Sequence, residues 1–376
     1  MAEFTGSGIN LFYVNGQNGD DDANNGESPG AAWKTLQKAI DMVASGSNPQ
    51  SYDEIRIMKT SDDSTYYGGA TGSINLSFYN KYVHFTGVNN KGGVDGTVVE
   101  MNGGLLDSST PMLYISVSTA DYVLFSNLKF DAGGTAQHCV EIEWSGSGSA
   151  IDMDWTNCRF TDATSHGVYT NNKASYWNFI NCRFDNNGED GLNMTSSNFA
   201  MSYKCLFDNN GDNGGHFGGF NRISECVFYN NGSDGAQING NGAVVSNCVF
   251  DSNSGGGAYF TGTRQGICVN SMFSNNTGAG IIPSSAASMR FHNPAFYNNG
   301  NGNYWSPTSD HLSMYNYVSG ATTEWGGTAD FDFTPDSASP LLGAGIVSPY
   351  RWFGSTADDI GINKFRAEGG ESISIF

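Results

Sequence analysis

His166, Asp190, Asp212 and His216 are the residues of this chain whose types and spacing suit proton transfer. An imidazole near a carboxylate can remove the proton beside a sugar carboxylate. Two carboxylates at a fixed gap can hydrolyse a glycosidic bond. A second set, Asp20, Asp22 and Asn24, offers alternating oxygen donors close to the spacing of a calcium loop. Its glycine, Gly26, falls one place late, and Ala31 stands where a bidentate Glu closes such a loop. A third set is aromatic and cationic: Tyr169, Tyr176, Trp177 and Tyr203, with Arg159 and Arg183. Exposed rings stack on sugar faces and guanidinium groups meet acidic sugars, so this set fits a glycan groove. Trp144, Trp155 and Phe199 fall in the same stretch.

A repeat brings these residues into register. Short apolar segments end at Phe130, Phe160, Phe184, Phe207, Phe228, Phe250, Phe273 and Phe296, spaced 30, 24, 23, 21, 22, 23 and 23 residues apart. Cys158, Cys182, Cys205, Cys226 and Cys248 each stand two residues before such a Phe. The segments alternate apolar and polar, the period of strands and not of helices. Most are followed by a polar turn such as DNNGEDG, DNNGDNG or YNNGSDG. A repeat of this length, with short strands and no helix, reads as one coil of a β-solenoid whose coils pair in parallel about 4.8 Å apart. Equivalent positions then form ladders, with the Cys on one line and the Phe on another. The cysteines are expected to be buried, free thiols that pack as small apolar residues. Trp155 and Phe179 share one ladder position, which favours core stacking for that pair.

The ladder of turn residues reads His166, Asp190, Asn213, Asp234, Gly256, Ala279. It places His166 one coil, about 5 Å, from Asp190, with Asp212 and His216 on the next coil. The competing reading is that Asn, Asp and Gly fill these turns because they accept left-handed backbone angles and cap their own amides. Arg159 and Arg183, between Cys and Phe, are expected to face outward.

Composition narrows the partners. The 37 acids against 17 bases give a formal charge of −20, so phosphate-rich nucleic acid and acidic membrane surfaces are excluded as natural partners. Aromatics at 13% are too many for a disordered chain. There is no apolar run long enough to span a membrane. The first residues, MAEFTGSGINLFYVNG, have neither the basic nor the apolar region of a secretion signal, which predicts synthesis in the cytoplasm without a leader.

With its Cys and Phe ladders and Asn-Gly turns, the chain resembles the right-handed parallel β-helix of the pectin-lyase-like superfamily. The segment FYVNGQNGDDDANNGESPGAAWKTLQKAID resembles the strand, loop and capping helix that open such folds, with Trp33, Leu36, Gln37 and Ile40 at helical spacing. The segment from Asp332 to Phe365 resembles their closing strap. The resemblance implies an all-β, single-stranded β-helix of about eleven coils. Its expected parts are a cap at 1–50, a helix at 51–310, a closing region at 311–366 and a tail at 367–376. It implies two classes of function, since the fold carries both. One is a phage virion protein (spike, fibre or capsid decoration) that recognises a host surface, most often as a homotrimer beside other virion proteins or on cell-surface polysaccharide. The other is a polysaccharide lyase or glycoside hydrolase acting outside the cell on an acidic glycan, with calcium as the implied cofactor. Lyases of the superfamily usually carry a clear Arg or Lys beside their acids, and the repeat region here offers only Arg159, Lys173, Arg183, Lys204, Arg222 and Arg264. The Asp-rich motifs of polygalacturonases are absent too. The expectation therefore leans to the virion class.

Overall fold

In a computed structural model the structure describes residues 10–42, 53–61, 73–78, 82–117, 122–144, 152–170, 176–262, 264–284, 288–303, 312–315 and 318–319. The expected closing strap and tail lie outside the described residues. The chain divides into two units, Met1–Asn178 and Phe179–Ile375.

In each unit the strands fall into three parallel sheets, and most of the described coils contribute one strand to each. In the first unit, Leu11–Val14 pairs with Asp53–Met58, then Tyr82–Val88, Tyr122–Ser126 and Asp152–Thr156. The second sheet holds Val99–Asn102, Leu128–Asp131 and Arg159–Thr161. The third holds Ile74–Phe78, Leu113–Val117, Val140–Trp144 and Val168–Thr170. In the second unit the same order recurs with shorter strands. Met201–Tyr203, Leu206–Asp208 and Gly215–Gly219 make one coil, and Arg222–Ser224, Val227–Tyr229 and Ala236–Ile238 the next. Each strand pairs with its equivalent one coil on. This all-β parallel β-helix is the architecture that the period of the sequence predicts.

The ladders are the core. Phe184, Phe207, Phe228, Phe250, Phe273 and Phe296 stack in turn, with ring centroids 4.6–5.5 Å apart. In the first unit Phe85, Phe125 and Trp155 stack in the same way, at 4.8 and 4.1 Å. All seven cysteines are free and buried. Each ladder cysteine follows a residue with left-handed φ, among them Lys204 (54°), Glu225 (54°) and Asn247 (54°). That residue turns the chain sharply between the first and second strands. The thiols also donate to backbone carbonyls of the preceding coil: Cys205 to Phe179 at 3.3 Å and Cys226 to Ser202 at 3.4 Å. Burial holds the Cys226 and Cys268 thiols well above their ordinary range, so they stay protonated.

The cap differs from expectation in one detail. The helix runs over Leu36–Met42, and Trp33 precedes it, pairing with Val14 in an isolated parallel bridge. The reason is Asp21, whose Oδ1 accepts the amides of Lys34 and Thr35 at 2.7 and 3.0 Å and holds this stretch extended up to the helix start. Leu36, Ala39 and Ile40 supply the buried face of the helix.

Candidate functional site

The turns between the second and third sheets carry the residues with chemistry, and two ladders of side chains organise them. The inner one is Asn187, Asn210, Asn231, Asn253, Asn276 and Asn299. Each Nδ2 donates to the Oδ1 of the next Asn at 2.9–3.0 Å. From Asn210 onward, each also donates to a Phe carbonyl of the coil before, as Asn231 does to Phe207 at 3.1 Å. Every Oδ1 from Asn210 on also accepts the backbone amide of the preceding Asn. Buried amides satisfied on both sides make these turns rigid.

The outer ladder is the one that the sequence places at the turn acids. In the second unit it begins at Asp190. The Asp190 Oδ1 accepts both the backbone amide of Asn213 at 3.1 Å and its Nδ2 at 2.9 Å. Asn213 Oδ1 then accepts the Asp234 amide at 3.2 Å, and Asp234 Oδ1 the Gly256 amide at 2.6 Å. The other Asp190 oxygen accepts Asn193 Nδ2 at 2.9 Å. Asp190 is 3% exposed. His216 Nδ1 lies 4.0 Å from Asp190 Oδ2, and its Nε2 is 2.7 Å from Asn239 Nδ2. The structure therefore brings Asp190 and His216 together. Asp212 is exposed in the turn, its backbone amide held by the Glu189 carbonyl at 3.1 Å. Burial raises Asp234 above the ordinary carboxylate range, against the Gly256 amide and with help from Asp212.

In the first unit the outer ladder is made of histidines. His138 Nδ1 accepts the His166 amide at 3.2 Å, the role that Asp190 Oδ1 fills for Asn213. The two imidazoles stack at 5.3 Å, and the ring of Tyr169 stacks on both, at 4.9 and 5.3 Å. Burial and the neighbouring His166 push His138 down to about 3, so it is neutral across the ordinary pH range. Sequence reasoning passed over His138. The signal was there: it stands 28 residues before His166, close to the 30-residue spacing from Phe130 to Phe160.

The expected glycan-binding set separates. Tyr176 is 45% exposed. Trp177 is not part of any outer surface: it is 1% exposed, because its strand position points into the core, and it is a packing residue instead of a sugar contact. Tyr203 is half-buried, with Lys204 Nζ 5.3 Å above its ring. Arg183 is committed to Asp208 by two 2.9 Å hydrogen bonds, with Asp185 at 3.6 Å. Arg159 is half-buried in register with Lys129. Trp155 and Phe179 are buried, as their shared ladder position implies, and the Trp144 side chain lies outside the described residues.

Sequence reasoning also missed Phe220. It is 48% exposed and stacks on Phe199, 47% exposed, with centroids 5.1 Å apart and planes 10° from parallel. Tyr176, Phe199 and Phe220 each stand six residues before a ladder cysteine and each has a left-handed φ, of 63°, 59° and 47°.

In the expected calcium loop, Asp20 Oδ1 accepts the amides of Asp22 and Ala23, both at 2.9 Å, which lowers its pKa. Asn24 Nδ2 donates to the Ala32 carbonyl at 2.7 Å, and the Asn24 carbonyl accepts Trp33 Nε1 at 3.0 Å. These contacts fold the loop onto itself. Among the described residues there is no group of three or more His, Cys, Asp or Glu side chains placed to hold a metal ion. Among them, too, no helix is long and apolar enough to cross a membrane.

Comparison with solved structures gives the same fold at low identity. A Geobacillus virus E2 protein, ORF18, superposes with a TM-score of 0.56 at 14% identity, over 82% of this chain. This chain spans only 61% of that protein. The A-module of the Azotobacter vinelandii mannuronan C-5 epimerase AlgE4 gives 0.54 at 11% identity, over 81% of this chain and 95% of its own. The pectate lyase Pel9A gives 0.51 at 15%, over 95% and 97%. No curated protein sequence matches the chain. The family model described as "right handed beta helix region" matches residues 113–265 and 215–324, together more than half of the chain, and the protein is a member of that right-handed β-helix family.

Proposed function

We propose that this protein is a non-catalytic β-helix scaffold of a phage virion that recognises a host surface polysaccharide, and that it works as a homotrimer. One observation carries the reading. The best-placed carboxylate of the chain, Asp190, has both oxygens occupied by amides of its own turns and is 3% exposed. A general base needs a free lone pair within reach of the substrate proton. The likeness to a viral protein supports the same reading. Virion assembly is a setting in which rigid, ladder-built turns are useful without any chemistry.

A second reading has one observation in its favour. His216 lies 4.0 Å from Asp190, on a fold also used by an epimerase and a pectate lyase. In that case the chain acts on an acidic glycan as a lyase or hydrolase, with calcium as the cofactor. Incubation with alginate and polygalacturonate in the presence of calcium decides between them, with release of reducing ends and unsaturated uronates as the readout. The virion reading expects no release. Steady product formation overturns it.

A further inference from the structure

We propose that Phe199 and Phe220 form a stacking platform for one pyranose ring of a neutral glycan, seated on the face of Phe220 above Gly242. The inference rests on the surface-recognition reading and names its contact residues.

The backbone at this turn is left-handed in successive coils, at Phe199 (59°), Phe220 (47°) and Gly242 (69°). Left-handed φ is free for Gly and tolerable for Asn, while a bulky side chain there is strained. At the other two left-handed positions of each coil Asn predominates, at Asn181, Asn186, Asn209, Asn230, Asn247, Asn270 and Asn275, with Lys204, Glu225 and Ser252 among the exceptions. At this third position the chain sets two phenylalanines instead and leaves both about half exposed. Neither ring is needed to fill the core, which the Cys and Phe ladders already occupy.

The next coil sets a glycine against the platform. A Cβ on Gly242 would lie 3.0 Å from Phe220 Cδ1 and 3.2 Å from Cε1, so glycine keeps a side chain off that ring. The turn beside it is rigid. The Phe220 amide donates to the Asn241 carbonyl at 3.0 Å, and the Asn239 amide to Phe217 at 2.8 Å. Gly240 is packed so closely that a Cβ would lie 1.9 Å from the Gly218 carbonyl oxygen. Asn239 and Asn241 are exposed on this rigid turn, and the amide of Asn239 is oriented by His216 at 2.7 Å.

An apolar face one ring wide, edged by fixed amides, matches the two faces of a pyranose: C–H groups on the ring, hydroxyls at the rim. The net charge of −20 favours a neutral sugar over a uronate. Position by position, Tyr176 continues the motif in the first unit, six residues before Cys182.

The test is native affinity electrophoresis of the full chain in gels containing hydroxyethylcellulose or galactomannan, with alginate as the acidic control. The wild type is expected to be retarded by at least one neutral polymer and not by alginate. The Phe199→Ser/Phe220→Gly double variant is expected to lose at least tenfold in affinity, while its melting temperature stays level or rises because Gly removes the strain. Equal retardation of variant and wild type overturns the platform and leaves the recognition reading standing. A wild type retarded by neither neutral polymer overturns the platform and counts against the recognition reading as well. A large fall in the variant's melting temperature assigns the two rings to packing and also overturns the proposal.

Discussion

Two turns of the second unit face the same backbone demand and answer it differently. Beside the inner ladder, left-handed φ falls on Asn186, Asn209, Asn230, Ser252 and Asn275, all but Ser252 residues that tolerate it well. The ladder next to them is buried and satisfied at every amide. At the third turn the same conformation is given to Phe199 and Phe220, residues that do not tolerate it, and both are exposed. Where local preference and structure agree, the residues hold successive coils together. Where they disagree on the surface, a role beyond folding is the physical explanation.

The largest break in this comparison comes from the stacked core. Phe228 lies between Phe207 and Phe250, at 4.6 and 4.8 Å. Phe228→Ala is expected to lower unfolding free energy by about 3–5 kcal/mol, read from the midpoint of denaturant unfolding. Asn231→Ala comes next. It leaves the Asn210 amide and Nδ2 without their acceptor and the Phe207 carbonyl without its donor. The expected loss is about 3 kcal/mol, and a loss below 1 kcal/mol would show that the ladder is incidental.

The histidine ladder gives a pH test. His138 is held near 3 in the folded chain, against an ordinary 6.5. Above pH 6.5 it is neutral in both states and has no effect. As pH falls below 6.5 the unfolded chain takes the proton and the folded chain refuses it, so stability drops by about 2 kcal/mol by pH 5. His138→Asn keeps an acceptor for the His166 amide, as Asn213 does in its own ladder, and is expected to flatten the acid limb of the melting profile. The smallest effect is expected at Phe220→Gly alone, a change of no more than about 1 kcal/mol and in the stabilising direction.

The fold was legible because the solenoid writes its period into the chain. Cys205, Phe207 and the NNG turn recur with so little drift that strands, turns and ladders follow together. The site was legible only in part. The turn ladder of Asp190, Asn213 and Asp234 could be aligned by counting, but not the direction of its hydrogen bonds, on which the proposed reading of Asp190 as a cap rests. Trp177 was misplaced because an aromatic residue at a strand start reads alike whether it points inward or outward. Phe220 was missed because its significance lies in φ, and Phe gives no hint of a left-handed backbone.

The central claim is that Asp190 holds the turns together and does no chemistry. Thermal melting of Asp190→Ala tests it most directly. The account predicts a fall of several degrees, since the Asn213 amide, its Nδ2 and Asn193 all lose their acceptor. An unchanged melting temperature would contradict it and return Asp190 and His216 to the list of catalytic candidates.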